Sequence, residues 1–203
     1  SLLRTVDLDE GPASALALDD RRALTGHKDG TIVLRDLQRG EKIKTFQLQN
    51  APVTAVAFAS DPNYFAAASS ASPLTMFDIR EPSAQSTLAE APENTSDLVA
   101  TARMRPLLVA NGPDRAIQVW RTEPRGIGRT YSGPPAGVSA LDISPGGRLV
   151  ATGSIDGSVR VWTTSSSRLQ RSFRAHGGRI TAVALAPGDR LLATAGTDGL
   201  VKL

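Results

Sequence analysis

Short stretches of the chain alternate apolar and polar residues with a period of two, and turn residues separate them. Residues 149–162 carry the clearest case. Leu149, Val150 and Ala151 form an apolar run into Thr152, and Asp156-Gly157 supplies the positive φ angles of a tight hairpin turn. Ser158-Val159-Arg160-Val161-Trp162 then alternates, with Val159 and Val161 on one face and Arg160 and Trp162 on the other. The pattern predicts one β-hairpin.

The hairpin recurs. Thr25-Gly26-His27-Lys28-Asp29-Gly30 leads into Thr31-Ile32-Val33-Leu34-Arg35, and Thr194-Ala195-Gly196-Thr197-Asp198-Gly199 leads into Leu200-Val201-Lys202-Leu203. Asp114-Arg115-Ala116-Ile117-Gln118-Val119-Trp120 is a further copy, and Ser72-Pro73-Leu74-Thr75-Met76-Phe77 is a weak one without the aspartate. Trp162, Trp120, Phe77 and Arg35 fill one equivalent position, at steps of 42, 43 and 42 residues. A unit of about 40–45 residues with a Gly-containing turn and a closing tryptophan is the signature of a four-stranded propeller blade.

In these hairpins the chain resembles the WD-repeat family of β-propellers. The likeness is specific over residues 148–162 and 178–203, fair over 14–36 and loose in the second and third units. No unit keeps the whole Trp-Asp pair: Arg35-Asp36 and Phe77-Asp78 retain the aspartate, Trp120-Arg121 and Trp162-Thr163 the tryptophan. The resemblance implies an all-β propeller segment of about five four-stranded blades. Its units run roughly over residues 1–40, 41–83, 84–125, 126–167 and 168–203. Two arrangements follow. A strand over residues 2–6 could complete the fifth blade and close a five-bladed ring, or the segment is an open arc of a larger ring, commonly seven-bladed in this family. The stop just before an expected tryptophan favours the arc, as a piece of a longer WD-repeat protein.

Outer strands are expected at residues 2–6, 42–46, 128–131 and 168–173, whose Lys, Arg and Thr content suits a wet sheet edge. Inner strands are expected at 14–18, 53–58, 138–143 and 180–185, with 98–101 the poorest copy. Strict alternation in the second places Val53, Ala55 and Ala57 on one face and Thr54, Val56 and Phe58 on the other. The longest irregular stretch, residues 80–97, is expected to be the most mobile, with a ragged outer strand near 85–88.

Composition narrows the chemistry. Hydrophobic residues make up 40% and aromatics 4%, so the core must be built from Val, Leu, Ile and Ala. Net charge is +3, with basic and acidic residues spread along the chain and no run that would hold nucleic acid or anionic lipid. There are no cysteines, which excludes disulfides and thiolate metal sites and permits a reducing, cytoplasmic location. No apolar segment is long enough to span a membrane as a helix.

The family resemblance implies a hydrogen-bonded tetrad of His, Ser/Thr, Asp and Trp. The last unit supplies His176, Thr194 and Asp198; the fourth supplies Thr152, Asp156 and Trp162, with Pro134-Pro135 where the histidine would lie. Thr25 and Asp29 stand in the first unit and Asp114 and Trp120 in the third. Such groups satisfy one another's buried polar atoms, and losing one should cost about 1–3 kcal/mol. His176, Thr194 and Asp198 also have the composition of a catalytic triad, but the pattern repeats in other units without its histidine, which marks scaffolding. His27 is read as an exposed turn residue. Two histidines without partner clusters make a metal site improbable, and the Asp-Gly turns lack the alternating acids of a calcium loop.

No catalytic residue and no cofactor is therefore expected, and no small-molecule substrate. The reading is a non-catalytic interaction scaffold within a larger regulatory or signalling protein. It would bind a protein or peptide on the propeller rim through the residues before each turn aspartate, Lys28, Pro113, Ile155 and Thr197, joined by Arg179. An enzyme propeller with a channel site is the alternative; among the inner strands only Asp142 stands out for it. A nucleic-acid-associated propeller is the other, set back by the scarcity of aromatics for base stacking.

Overall fold

The computed structural model describes residues 11–48, 52–69, 72–81, 85–87, 98–122 and 125–203. The strand expected at residues 2–6, and most of the stretch 82–97, lie outside them. Five antiparallel sheets follow one another, each a meander whose strands keep sequence order. The first holds β1 (Ala13–Leu18), β2 (Arg22–His27), β3 (Thr31–Asp36) and β4 (Lys42–Gln47). The second holds β5 (Val53–Phe58), β6 (Tyr64–Ser69), β7 (Ser72–Asp78) and β8 (Gln85–Thr87). The third holds β9 (Val99–Thr101), β10 (Leu107–Asn111), β11 (Ala116–Thr122) and β12 (Arg125–Ser132). The fourth holds β13 (Val138–Ile143), β14 (Leu149–Ser154), β15 (Ser158–Thr163) and β16 (Leu169–Arg174). The fifth has three described strands, β17 (Ile180–Leu185), β18 (Leu192–Gly196) and β19 (Val201–Lys202). These are blades of an open or partial propeller.

The core lies between blades. Phe46 of blade 1 meets Phe65 and Phe77 of blade 2, which stack on each other with centroids 4.8 Å apart. Between blades 2 and 3 Trp120 is fully buried against Leu74, Met76 and Leu108. Trp162 of blade 4 sits edge-on to Tyr131 of blade 3, centroids 6.2 Å apart, among Val109, Val119 and Val150. Val159 and Val161, on the opposite face of the same strand, pack with Ile180 and Leu185 of blade 5. Each unit is apolar on both faces, so a neighbour is needed to cover it.

A bulge in the inner strands changes the expected alternation. Registers shift at Ser14, Thr54, Ser139 and Thr181, where one extra residue is accommodated. In β5 this puts Val53, Val56 and Phe58 together against blade 1, while Ala55 faces blade 3. The face assignment made from strict alternation is corrected: the bulge at Thr54 flips the residues after it.

The bulge residues join blade to blade. Ser14 Oγ donates to Val53 O at 2.6 Å, and Ser139 Oγ donates to Ile180 O at 2.7 Å. Both bonds reach the inner strand of the next blade. The strands come so close that a Cβ on Gly153 would lie 2.2 Å from Ile180 Cγ2, which requires glycine there. Asp142 belongs to the same seam. Its carboxylate accepts from Leu185 N of blade 5 at 2.7 Å and from Ile143 N at 2.9 Å. Burial pushes its pKa up, against the pull of those two N–H groups. The acid that stood out for channel chemistry is spent on clamping blades 4 and 5.

Candidate functional site

Blade 5 forms the fullest polar pin. His176 precedes β17 and is buried, with Nδ1 2.8 and 2.9 Å from the two carboxylate oxygens of Asp198 and Nε2 3.0 Å from Thr194 Oγ1. A carboxylate only accepts, so Nδ1 carries the proton, and Nε2 is left to face the Thr194 hydroxyl. Asp198 also accepts from Gly177 N and Leu200 N, each at 3.2 Å. Desolvation raises its pKa, but the hydrogen bonds from His176, Leu200 and Gly177 outweigh it and hold the carboxyl below its ordinary value. The pin ties the segment entering the blade to the β18–β19 turn.

Blade 1 reaches a related pin by another route. His27 ends β2 and is only 1% exposed, with Nε2 3.0 Å from Thr25 Oγ1. The exposed-turn reading of His27 is therefore overturned. β2 runs through residue 27, and two residues on from Thr25 is the same face of the strand. Asp29, expected beside it, instead accepts from Thr31 N at 2.9 Å within the turn, and that bond lowers its pKa. In blade 5 the place of His27 is taken by Gly196, where a Cβ would lie 2.6 Å from Cγ of His176. One slot thus receives its imidazole from within the strand in blade 1 and from the preceding segment in blade 5.

Blades 3 and 4 do not complete the arrangement. In blade 4 the position is Ser154, and the buried hydroxyl of Thr152 has no hydrogen-bond partner among the described residues. Asp156 closes its turn by accepting from Ser158 N at 2.9 Å, which with the Ser158 hydroxyl lowers its pKa. Trp162 is buried in the interface with blade 3. In blade 3 Ala110 offers no hydroxyl, Trp120 Nε1 is buried without a partner among the described residues, and Asp114 is exposed in a turn with φ of 53°. Asp114 and Trp120 are not joined.

The pins of blades 1 and 5 stand at the bases of two of the turns that carry the expected rim, β2–β3 and β18–β19. Lys28, Ile155 and Thr197 are exposed at the β2–β3, β14–β15 and β18–β19 turns, and Ile155 is 50% exposed. Thr197 N donates to Arg179 O at 2.9 Å, which brings those two residues together. Lys28 stands apart from them on blade 1. Pro113 opens the short 3-10 turn Pro113–Arg115, and its side chain lies outside the described residues. Among the described residues no group of three or more His, Asp or Glu gathers to hold a metal ion.

The family model described as "WD domain, G-beta repeat" matches residues 40–72, 127–163 and 167–203, more than half of the chain. The chain belongs to the WD40 family. No curated protein matches it. The matched stretches hold His176, Thr194, Asp198, Thr152, Asp156 and Trp162, whereas Thr25 and His27 fall outside them. WD40 repeats generally mediate protein–protein interaction and are typically non-catalytic.

Sequence reasoning missed three features: the pin made by His27, the hydroxyl staples at Ser14 and Ser139, and the clamp at Asp142. The serines had a readable signal, a Ser or Thr second in each of Ala13-Ser14-Ala15, Val53-Thr54-Ala55, Val138-Ser139-Ala140 and Ile180-Thr181-Ala182.

Proposed function

We propose that this WD40 chain is a non-catalytic scaffold that captures a protein or peptide partner on the rim formed by its β2–β3, β14–β15 and β18–β19 turns and the segment before β17. The observation that carries the reading is Ile155. It is a large apolar side chain, 50% exposed at the tip of a hairpin, on the same end of the blades as Lys28, Thr197 and Arg179. An apolar anchor on an end of the blades that also carries cations suits a partner segment bearing a hydrophobic residue and an acid. The imidazole–threonine contact of blade 5 recurs in blade 1 with no carboxylate at Nδ1 among the described residues, which fits a structural pin better than a charge-relay nucleophile. The rim belongs to a larger regulatory or signalling protein in this reading.

The test is capture of binding partners by the wild-type protein and by a variant with Lys28, Ile155 and Arg179 all changed to alanine. These side chains are exposed, so the variant should keep its fold and lose partners that the wild type retains. Undiminished capture by a folded variant would remove the rim from the account.

A further inference from the structure

The other end of the blades holds a second surface, independent of the rim. Between blades 3 and 4 lies a cleft of about 440 Å³. Arg105, Arg121 and Arg129 border it, over a floor of Leu107, Val119 and Thr164.

Strand register explains why the three arginines converge on the blade 3–4 cleft. Leu107 pairs with Arg121 across β10 and β11, and Val119 pairs with Arg129 across β11 and β12. Paired residues share a face, as do Val119 and Arg121 two apart, so all four side chains lie on the face of blade 3 that packs on blade 4. Arg105 comes from the β9–β10 turn, which is tied to blade 4 where Met104 N donates to Pro145 O at 2.9 Å. No carboxylate lines the cleft among the described residues, and no ion pair is formed there by Arg105, Arg121 or Arg129. Glu123, next but one to Arg121 in sequence, lies outside the described residues. Beside the cleft Met104 is 77% exposed.

We propose that this cleft docks an acidic peptide segment of a partner protein, its negative groups meeting Arg105, Arg121 and Arg129 and an apolar side chain covering Met104. Charge complementarity argues for that occupant: three guanidinium groups with no carboxylate partner among the described residues face one apolar-floored groove, and guanidinium forks match carboxylate or phosphate. Carboxylates and phosphoserines share this chemistry.

The test measures fluorescence anisotropy of labelled dodecapeptides on the full chain. One peptide is rich in Glu around a central Leu, one replaces two Glu with phosphoserine, and one replaces every Glu with Gln; a single-stranded oligonucleotide of similar charge is the fourth probe. Binding of an acidic peptide, at least about tenfold weaker for the Gln peptide and for R121A/R129A, is the expected result. The stronger of the Glu and phosphoserine peptides names the source of the charge. Lys28→Ala with Ile155→Ala and Arg179→Ala should leave binding unchanged, and Glu123→Gln should not weaken it. No binding below about 1 mM, equal binding by the oligonucleotide, or equal binding by a folded R121A/R129A variant would overturn the proposal. Should that variant fail to fold, phenylglyoxal labelling of the wild type decides: bound peptide should protect Arg121 and Arg129 at least about fivefold, and no protection would contradict the site.

Discussion

The imidazole of His27 lies 3.0 Å from the hydroxyl of Thr25, two residues earlier on the same strand. That contact stands where blade 5 sets His176 against Thr194, also at 3.0 Å, from a residue eighteen positions away. The same polar slot is filled from two directions.

His27→Ala should destabilise the protein by about 1–3 kcal/mol, because it leaves the buried Thr25 hydroxyl without its partner and opens a void. Chemical denaturation with unchanged m-value would check it. A variant as stable as the wild type would return His27 to the surface.

Gly196→Ala should act through His176. Its new Cβ would meet the ring at 2.6 Å, so the imidazole must leave its place between Thr194 and Asp198. The loss should be about 1–3 kcal/mol, and it should be non-additive with His176→Ala. Additive losses in a double-mutant cycle would contradict the slot.

Ser139→Ala removes the 2.7 Å bond to Ile180 O across blades 4 and 5. A cost of about 1 kcal/mol is expected, with faster amide exchange at the start of β17. Slower or unchanged exchange there would argue against a staple.

The carboxyl of Asp198 is held below its unfolded value of 3.8. A depressed acid contributes stability that is fully present above the unfolded pKa and is lost as pH falls through the folded one. Thermal melts of wild type and Asp198→Asn should therefore differ most at neutral pH, and the gap should narrow below pH 3.8. A gap that widened on acidification would have the wrong sign.

Trp162→Ala should cost about 3–5 kcal/mol, since the indole fills the seam between blades 3 and 4 against Tyr131. Equilibrium unfolding measures it directly, and a loss below about 1 kcal/mol would place the side chain outside the core.

The blade was legible in the sequence because its signals are local. Asp156-Gly157 fixes a turn, Val159 and Val161 alternate with Arg160 and Trp162, and the spacing repeats. His176, Thr194 and Asp198 were legible as a group through the family resemblance. What escaped depends on register or on a neighbouring blade. A one-residue bulge at Thr54 reverses the faces after it, and its one trace in the sequence, a Ser or Thr second in each inner strand, shows only when the four strands are set side by side. His27 looked like a turn residue because only the true end of β2 decides whether it points inward. The roles of Ser139 and Asp142 lie in bonds to Ile180 and Leu185, about forty residues away, which no local pattern contains.

The chain has two histidines, so nitrogen-15 spectra of the imidazoles contain only two rings to assign. That spectrum tests most directly the claim that buried imidazole pins hold the turns of a rigid interaction scaffold. At neutral pH the account predicts a single tautomer for His176, protonated at Nδ1 and slow to exchange with water, with that proton lost from view in Asp198→Ala. A ring that averages its tautomers and exchanges freely would contradict it.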